Sequence, residues 1–335
     1  MPAPRFAYFD RRIVPIAEAQ VNVMTHALHY GTSVFAGMRG YWNAEEEELF
    51  IFRPHDHFRR FLQSGKLMRM SLPYTTDELT AILVSLLRAE GYRENCYIRP
   101  LAFASTPTIS VRVHDLDTAV TIFAMPFGSY IANEEGAHVA FSAWRRVDDN
   151  AIPARGKIGG AYVNSALSST DVRLAGYDEA IVLNDDGHVS EMSSANFFIV
   201  RDGVAITPPV NSNVLEGIVR RSLIQLLRDE LGVTVVERNI DRSEVYLADE
   251  CFMCGTGVQL SAITRIEHRA IGTGTMGDIT GRLRTLFFDV VAGRVPRYRR
   301  WLAPVYTDAA SSAPADPATV PDVTGRASSP ATPAR

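Results

Sequence analysis

The first third of the chain alternates short apolar runs with amphipathic stretches. Arg5–Asp10, Ile13–Ile16 and Leu49–Arg53 read as strands, with Glu45–Glu48 as a solvated acidic hairpin tip. Pro54 then opens a helix at the first turn, where a missing N–H does no harm, and Phe58, Phe61 and Leu62 share one of its faces. A second helix starts near Thr76 with Asp77 and Glu78 in its first turn. Its inner face is Leu79, Ile82, Leu83, Leu86 and Leu87, and Gly91 stops it. Cys96–Ala104 and Ala119–Met125 are strand-like, and the Gly- and Ser-containing stretch up to Gly136 reads as a linker. Beyond it, Glu179–Leu183, Asn196–Val200 and Val204–Thr207 predict a meander of short strands, with turns at Asn184–Gly187 and Arg201–Gly203. A long amphipathic helix over Glu216–Leu231, strands at Val233–Glu237 and Glu250–Cys254, and a helix over Ile279–Ala292 complete the pattern. From Thr307 onward the chain is rich in Ala, Pro, Ser, Thr and Asp and has no aromatic residue, which predicts a disordered tail.

With 335 residues, about two domains are expected. The composition places them at 1–127 (a small N-terminal domain) and 137–306 (a larger domain), joined by the linker 128–136 and followed by the tail 307–335. A net charge of −4 argues against nucleic acid or an anionic membrane as partner. No apolar run approaches the ~20 residues that cross a bilayer. The N-terminal stretch MPAPRFAYFDRR lacks an apolar signal core, so a cytoplasmic protein is expected.

Charge composition narrows the chemistry. The 34 cationic residues comprise 32 arginines and only two lysines, Lys66 and Lys157. Arginine stays protonated at neutrality and cannot serve as an amine nucleophile, so any imine chemistry falls to one of these two. Lys66 lies on the Pro54 helix among arginines and reads as a surface charge. Lys157 lies in a stretch with glycines at 156, 159 and 160, which leaves room for a flat ring. An aldehyde cofactor such as pyridoxal phosphate also needs an acid for its pyridine nitrogen, a partner for the ring oxygen, a cation for the phosphate and a helix N-terminus. Glu191, Tyr162, Arg60 and the Gly217-Ile218-Val219 helix entry supply one candidate each, with the Thr256 hydroxyl as a further donor.

Other motifs read as structure. Cys251-Phe-Met-Cys254 lacks the further ligands of a zinc site and fits a short buried strand. Gly272-Thr-Gly-Thr-Met-Gly277 has the dinucleotide-fingerprint spacing, but too little chain follows for a nucleotide fold, so a glycine turn is expected. The pairs His26/His29 and His55/His57 lack a third ligand, and no metal is expected.

Taken in order, several segments resemble the branched-chain amino-acid aminotransferases, class IV enzymes of pyridoxal-phosphate fold type IV. They are Thr25-His-Ala-Leu-His-Tyr-Gly-Thr-Ser-Val-Phe-Ala-Gly37, Tyr97-Ile-Arg-Pro100, Lys157-Ile-Gly-Gly-Ala-Tyr162, Ser190-Glu191 to Asn196-Phe197, Leu215-Glu-Gly-Ile218 and Gly255-Thr256. The resemblance covers nearly the whole chain up to Tyr306. It implies a two-domain α+β or α/β fold like that of aminodeoxychorismate lyase and D-amino-acid aminotransferase. A small N-terminal α/β domain and a larger C-terminal domain would hold the cofactor between them.

The roles it implies are specific. Lys157 would hold pyridoxal 5'-phosphate as an imine and then shuttle a proton. Glu191 would pair with the ring nitrogen, Tyr162 with the ring oxygen, and Arg60, Gly217, Ile218, Val219 and Thr256 would bind the phosphate. Tyr30, Phe35, Gly37, Tyr97, Arg99, Tyr130, Thr256 and Gly257 would line the substrate pocket. The implied reaction moves an amino group between L-leucine, L-isoleucine or L-valine and 2-oxoglutarate by a ping-pong mechanism, in a homodimer or larger homo-oligomer whose partner completes the pocket. The same fold also hosts D-amino-acid and (R)-amine transaminases and aminodeoxychorismate lyases. Val219 and Phe127 stand where many or some relatives have Thr and Trp.

Overall fold

Apolar strands gather into two sheets in the computed structural model, which describes residues 3–129, 133 and 135–307. The first sheet is antiparallel and draws on both ends of the described chain. Its order is Leu302–Pro304, Glu48–Phe52, Met38–Asn43, Cys96–Ala104, Thr118–Pro126, Phe6–Phe9 and Arg12–Pro15, with Ser33–Phe35 also pairing to Cys96–Ala104. Helices α1 (Pro54–Leu67) and α2 (Thr76–Glu90) bury Phe58, Phe61, Leu79, Leu83, Leu86 and Leu87 against it. Thr75 and Glu78 form a reciprocal capping box at the start of α2, and Gly91 ends it at φ 69°.

The second sheet is mixed, in the order Val189–Met192, Glu179–Leu183, Ala137–Arg145, Gln259–Ile266, Glu250–Gly255, Asn196–Arg201, Val204–Thr207 and Val235–Glu237. Helix α3 (Tyr162–Leu174) buries Val172 with Ala140 and Ala180 of this sheet. Helices α4 (Ile218–Asp229) and α5 (Asp278–Val291) cover its other face, with Leu223, Leu227, Leu283 and Phe287 against Phe198, Phe252 and Leu260. That apolar cluster continues into Tyr41 and Phe52 of the first sheet, where the Phe52 ring meets Phe287 at 5.8 Å and Trp301 at 6.0 Å. The sheets therefore share a core along one seam.

The two helices of the N-terminal half, the strands at Cys96–Ala104, Glu179–Leu183 and Val204–Thr207, and the C-terminal helix fall where the hydrophobic pattern predicts them. Seven strands do not follow from that pattern: Ser33–Phe35, Met38–Asn43, Ala137–Arg145, Val189–Met192, Gln259–Ile266, Arg269–Ala270 and Leu302–Pro304. Helix α3 does not follow from it either, because Val163, Leu167 and Leu174 point outward and blur the helical period. The acidic tip needs a correction. Glu45, Glu46 and Glu47 are exposed, but Glu48 is buried, and its carboxylate accepts hydrogen bonds from the backbone N–H groups of Val305, Tyr306 and Thr307. The segment Leu302–Pro304 is thereby returned to the first sheet, although its sequence position follows the larger domain. The tail beyond Thr307 and Tyr130 lie outside the described residues.

The Cys251–Cys254 stretch is a buried strand and the Gly272–Gly277 stretch a glycine turn, as their sequences suggest. Cys251 and Cys254 are three apart on one strand and face opposite sides of the sheet, in separate apolar clusters. Burial pushes the Cys254 thiol up to about 12. Gly272 and Gly274 adopt φ 53° and 79° in the turn before α5. The free N–H groups at the start of that helix are taken by the Glu250 carboxylate, at 3.0 Å to Ile279 and 2.8 Å to Thr280.

Candidate active site

The lysine stretch has no periodic apolar face, so neighbours fasten it. Lys157 N–H donates to Ser64 Oγ at 3.1 Å and its carbonyl accepts from Phe35 N at 3.0 Å. Gly160 N–H donates to the Gly31 carbonyl at 3.0 Å. A methyl group on Gly31, itself at φ 65°, would collide with the Gly160 backbone. The loop that carries the lysine is thus stitched to α1 and to the strands of the first sheet, and the lysine side chain enters the seam between the two sheets.

A cavity of about 640 Å³ opens there. Lys157, Tyr162, Arg60 and Glu191 line it together, as do Gly217, Ile218, Val219 and Thr256. Phe35, Gly37, Tyr97, Arg99 and Gly257 line it as well. Tyr30 does not line this cavity. It lies in the five-residue helix His26–Tyr30, with its ring against His26 at 4.6 Å and His29 at 6.2 Å. Lys66 is exposed on α1, and among the described residues no group of three or more His, Cys, Asp or Glu is placed to hold a metal ion.

Electrostatics divide the cavity into regions. Lys157 Nζ donates to Tyr162 Oη at 2.5 Å. Burial, then the Arg60 guanidinium, bring the Lys157 ammonium down from 10.5 to about 7. Burial, followed by the Glu191 charge, raises the Tyr162 phenol to about 12, so it keeps its proton. Arg60 is buried on α1 and donates to the Glu216 carbonyl at 3.0 Å. Burial lowers it to about 10, which leaves it a cation at neutrality.

Helix α4 begins at Gly217 with no side-chain cap, and the cavity reaches its first residues, Ile218 and Val219. A methyl group at Gly217 would strike the Asn196 side chain, so the close approach of that strand to the helix entry requires glycine. The Thr256 hydroxyl donates to the Gly37 carbonyl at 3.0 Å and so ties the 255–257 loop to the first sheet.

At the opposite end, Phe35, Phe123, Met125 and Phe127 make an apolar wall. Arg99 lies over it, 4.5 Å from the Phe35 ring centroid, and donates to Tyr97 Oη at 2.9 Å. Its Nε is buried and has no hydrogen-bond partner. A methyl group on Gly37 would overlap the Tyr97 phenol.

Three residues that the sequence does not single out shape the site. Arg146 Nη2 lies 2.6 Å from Glu191 Oε1. Asn196 Nδ2 donates to Glu191 Oε2 at 2.8 Å. Arg39, 2% exposed on a first-sheet strand, donates to the carbonyls of Thr256 and Gly257 at 2.9 and 3.0 Å and of Gly128 at 2.7 Å. Among so many arginines no local signal marks these two; only the pairing partners do.

The residues fit an anionic, flat, aldehyde-bearing group. A buried guanidinium without a carboxylate partner within ion-pair distance stands beside an uncapped helix N-terminus at one end. A carboxylate stands on the cavity wall, and an amine with lowered basicity lies beside a phenol. These are the features that pyridoxal phosphate requires of a binding site. Comparison with known proteins agrees. The family described as Amino-transferase class IV matches residues 33–266. A probable branched-chain-amino-acid aminotransferase of Aquifex aeolicus is 44% identical over 301 residues, 90% of this chain and 97% of that protein. The crystal structure of the branched-chain aminotransferase of Thermoproteus uzoniensis with norvaline superposes with a TM-score of 0.87 at 41% identity, covering 91% of this chain and all of that one. The branched-chain amino acid aminotransferase of Thermobaculum terrenum, in its PLP-bound holo-form, gives 0.87 at 40% identity, with 92% and 100% covered. The chain belongs to the class IV aminotransferase family.

The lowered basicity of Lys157 has a direct consequence. In the cofactor-free protein its rate of reaction with a small aldehyde should rise with pH and reach half its plateau near pH 7, because the neutral amine is the nucleophile. Mass-spectrometric mapping of reductive methylation across pH measures this. A midpoint near the ordinary lysine value of about 10 would contradict the buried site.

Proposed function

We propose that the protein transfers the amino group between L-leucine, L-isoleucine or L-valine and 2-oxoglutarate. The observation that carries this reading is the apolar wall and the unmatched Arg99 Nε sharing one cavity with Lys157. A branched aliphatic side chain fits the wall. The second carboxylate of a five-carbon oxo acid meets the guanidinium and the Tyr97 hydroxyl. A buried cation without an anion is costly, and contact with the Phe35 and Tyr97 rings offsets part of that cost while the aliphatic substrate is bound. Because one cavity must take both substrates, they enter in turn, which gives ping-pong kinetics.

The cofactor is pyridoxal 5'-phosphate, which supplies an aldehyde for the substrate amine and an electron sink for the α-carbon. The chain's own residues do the rest. Arg60, with the α4 entry at Gly217, Ile218 and Val219 and with Thr256, binds the phosphate. Tyr162 would hold the ring oxygen, and Glu191 would accept a hydrogen bond from the protonated ring nitrogen. Lys157 would hold the cofactor, and its amine, brought down to about 7, can take a proton from the substrate α-carbon near neutrality. The phenol 2.5 Å from its Nζ keeps the amine oriented during that transfer. Phe35, Gly37 and Gly257 line the substrate side.

A second copy of the chain supplies what one protomer lacks. Val23, Met24, Leu28, Ile109 and Val111 are exposed at 48–90%. The two segments that carry them are joined by His26 N–H to the Thr106 carbonyl at 3.1 Å and His26 Nε2 to the Ser110 carbonyl at 2.7 Å. An apolar face of this kind fits a homodimer, in which Tyr30 would border the neighbouring cavity. No described helix is long and apolar enough to cross a membrane, and all three cysteines are free, which suits the reducing cytoplasm.

Two measurements test this reading. Oxo-acid formation should be faster with L-leucine than with D-alanine or an (R)-amine. Arg99→Met should raise KM for 2-oxoglutarate by about 10- to 100-fold, the loss of one charge-assisted hydrogen bond, with a much smaller change for leucine. Preference for D-alanine, or equal loss for both substrates, would contradict it. Light scattering should give twice the 37.0 kDa chain mass or a multiple of it, and a stable monomer would remove the dimer.

A further inference from the structure

Glu191 is 4% exposed, and three hydrogen-bond donors of the chain reach its two oxygens. Arg146 Nη2 meets Oε1 at 2.6 Å, while Asn196 Nδ2 and the Leu215 N–H meet Oε2 at 2.8 and 3.2 Å. A carboxylate offers about four lone-pair sites, so one direction is left, and the residue lines the cavity. Arg146 is itself held. Its Nε donates to the Asn213 carbonyl at 3.3 Å, and Asn213 sits at φ 54°, with its side chain accepting from Asp149 N–H and donating to Asn184 Oδ1. The loop before α4 therefore sets where the guanidinium points.

We propose that Arg146 is a positioning residue that holds Glu191 as a carboxylate and thereby fixes the proton of the cofactor on its ring nitrogen rather than on Glu191. This rests on the pairing of Glu191 with that nitrogen given above. The argument is electrostatic. A proton shared between a buried carboxyl and a pyridine nitrogen can sit on either. Arg146 touches the carboxylate oxygen, so its charge favours the carboxylate–pyridinium arrangement over the neutral one, its repulsion of the more distant ring being the smaller effect. Arginine is suited to this task because it does not lose its own proton. Other groups facing Glu191 do not replace it. Lys157 and Arg220 act on it through space without direct contact, and Asn196 and the Leu215 N–H carry no net charge. Burial pushes the Glu191 carboxyl up even with Arg146 in place, and the Arg146 charge is the largest influence opposing it.

The test compares binding of pyridoxal phosphate with binding of its carbocyclic analogue, in which the ring nitrogen is a C–H, by absorbance titration of the cofactor-free protein. Wild type should favour the natural cofactor. Arg146→Gln, which keeps a donor but removes the charge, should reduce that preference by about tenfold, the equivalent of one unit in nitrogen basicity. Arg146→Lys should retain most of it, and Glu191→Gln should abolish it. If Arg146→Gln weakens binding of both molecules equally, or if Arg146→Lys folds and loses the preference, Arg146 is only structural and the proposal is overturned. If Glu191→Gln keeps the wild-type preference, the Glu191–nitrogen pairing itself fails, a separable result.

Discussion

The site depends on withholding water from one amine. In solution a lysine is an ammonium and neither attacks an aldehyde nor accepts a proton near neutrality. Here the seam between two sheets closes around Lys157, and burial, reinforced by Arg60, brings it to about 7. That value requires the seam to be rigid. The stitches at Gly31–Gly160, Phe35–Lys157 and Ser64–Lys157 supply the rigidity, and the shared core of Phe52, Phe287 and Trp301 keeps the sheets from separating. A loosened seam would hydrate the amine and restore its charge.

The same low-water space decides how the remaining charges are arranged. Arg60, Arg99 and Arg146 line the cavity with Lys157 and the single carboxylate of Glu191. In the proposed reading, this excess of positive charge suits a phosphate at one end and a dicarboxylate at the other. Arg146 already has an anionic partner, Glu191. Arg60 and Arg99 rest on a backbone carbonyl and a phenol, free to take the anions the proposed reaction brings. Pre-placing cations in this way limits the reorganisation needed on binding.

Much of this is legible in the sequence for a physical reason. The two lysines stand out because arginine cannot do imine chemistry, and the glycines around Lys157 mark a close backbone approach. Tyr162, Glu191, Arg60 and the Gly217 entry emerge from asking what an aldehyde cofactor needs. Arg146 and Arg39 do not emerge, because an arginine among 32 is marked only by its partners and those partners are distant in sequence. The strand Gln259–Ile266 escapes the pattern because its central run is buried almost throughout and shows no alternation. Glu48 looks like a solvated tip because its backbone partners lie 257 or more residues away. Local pattern reports elements; long-range pairing decides which polar residues are buried.

The central claim is that one amine, at position 157, joins the chain to an aldehyde ring. Borohydride reduction of the protein loaded with pyridoxal phosphate, followed by peptide mapping, tests it directly. The phosphopyridoxyl group should be found on Lys157 alone, at one equivalent per chain. Labelling on Lys66, or no covalent label on a folded and loaded protein, would contradict the account.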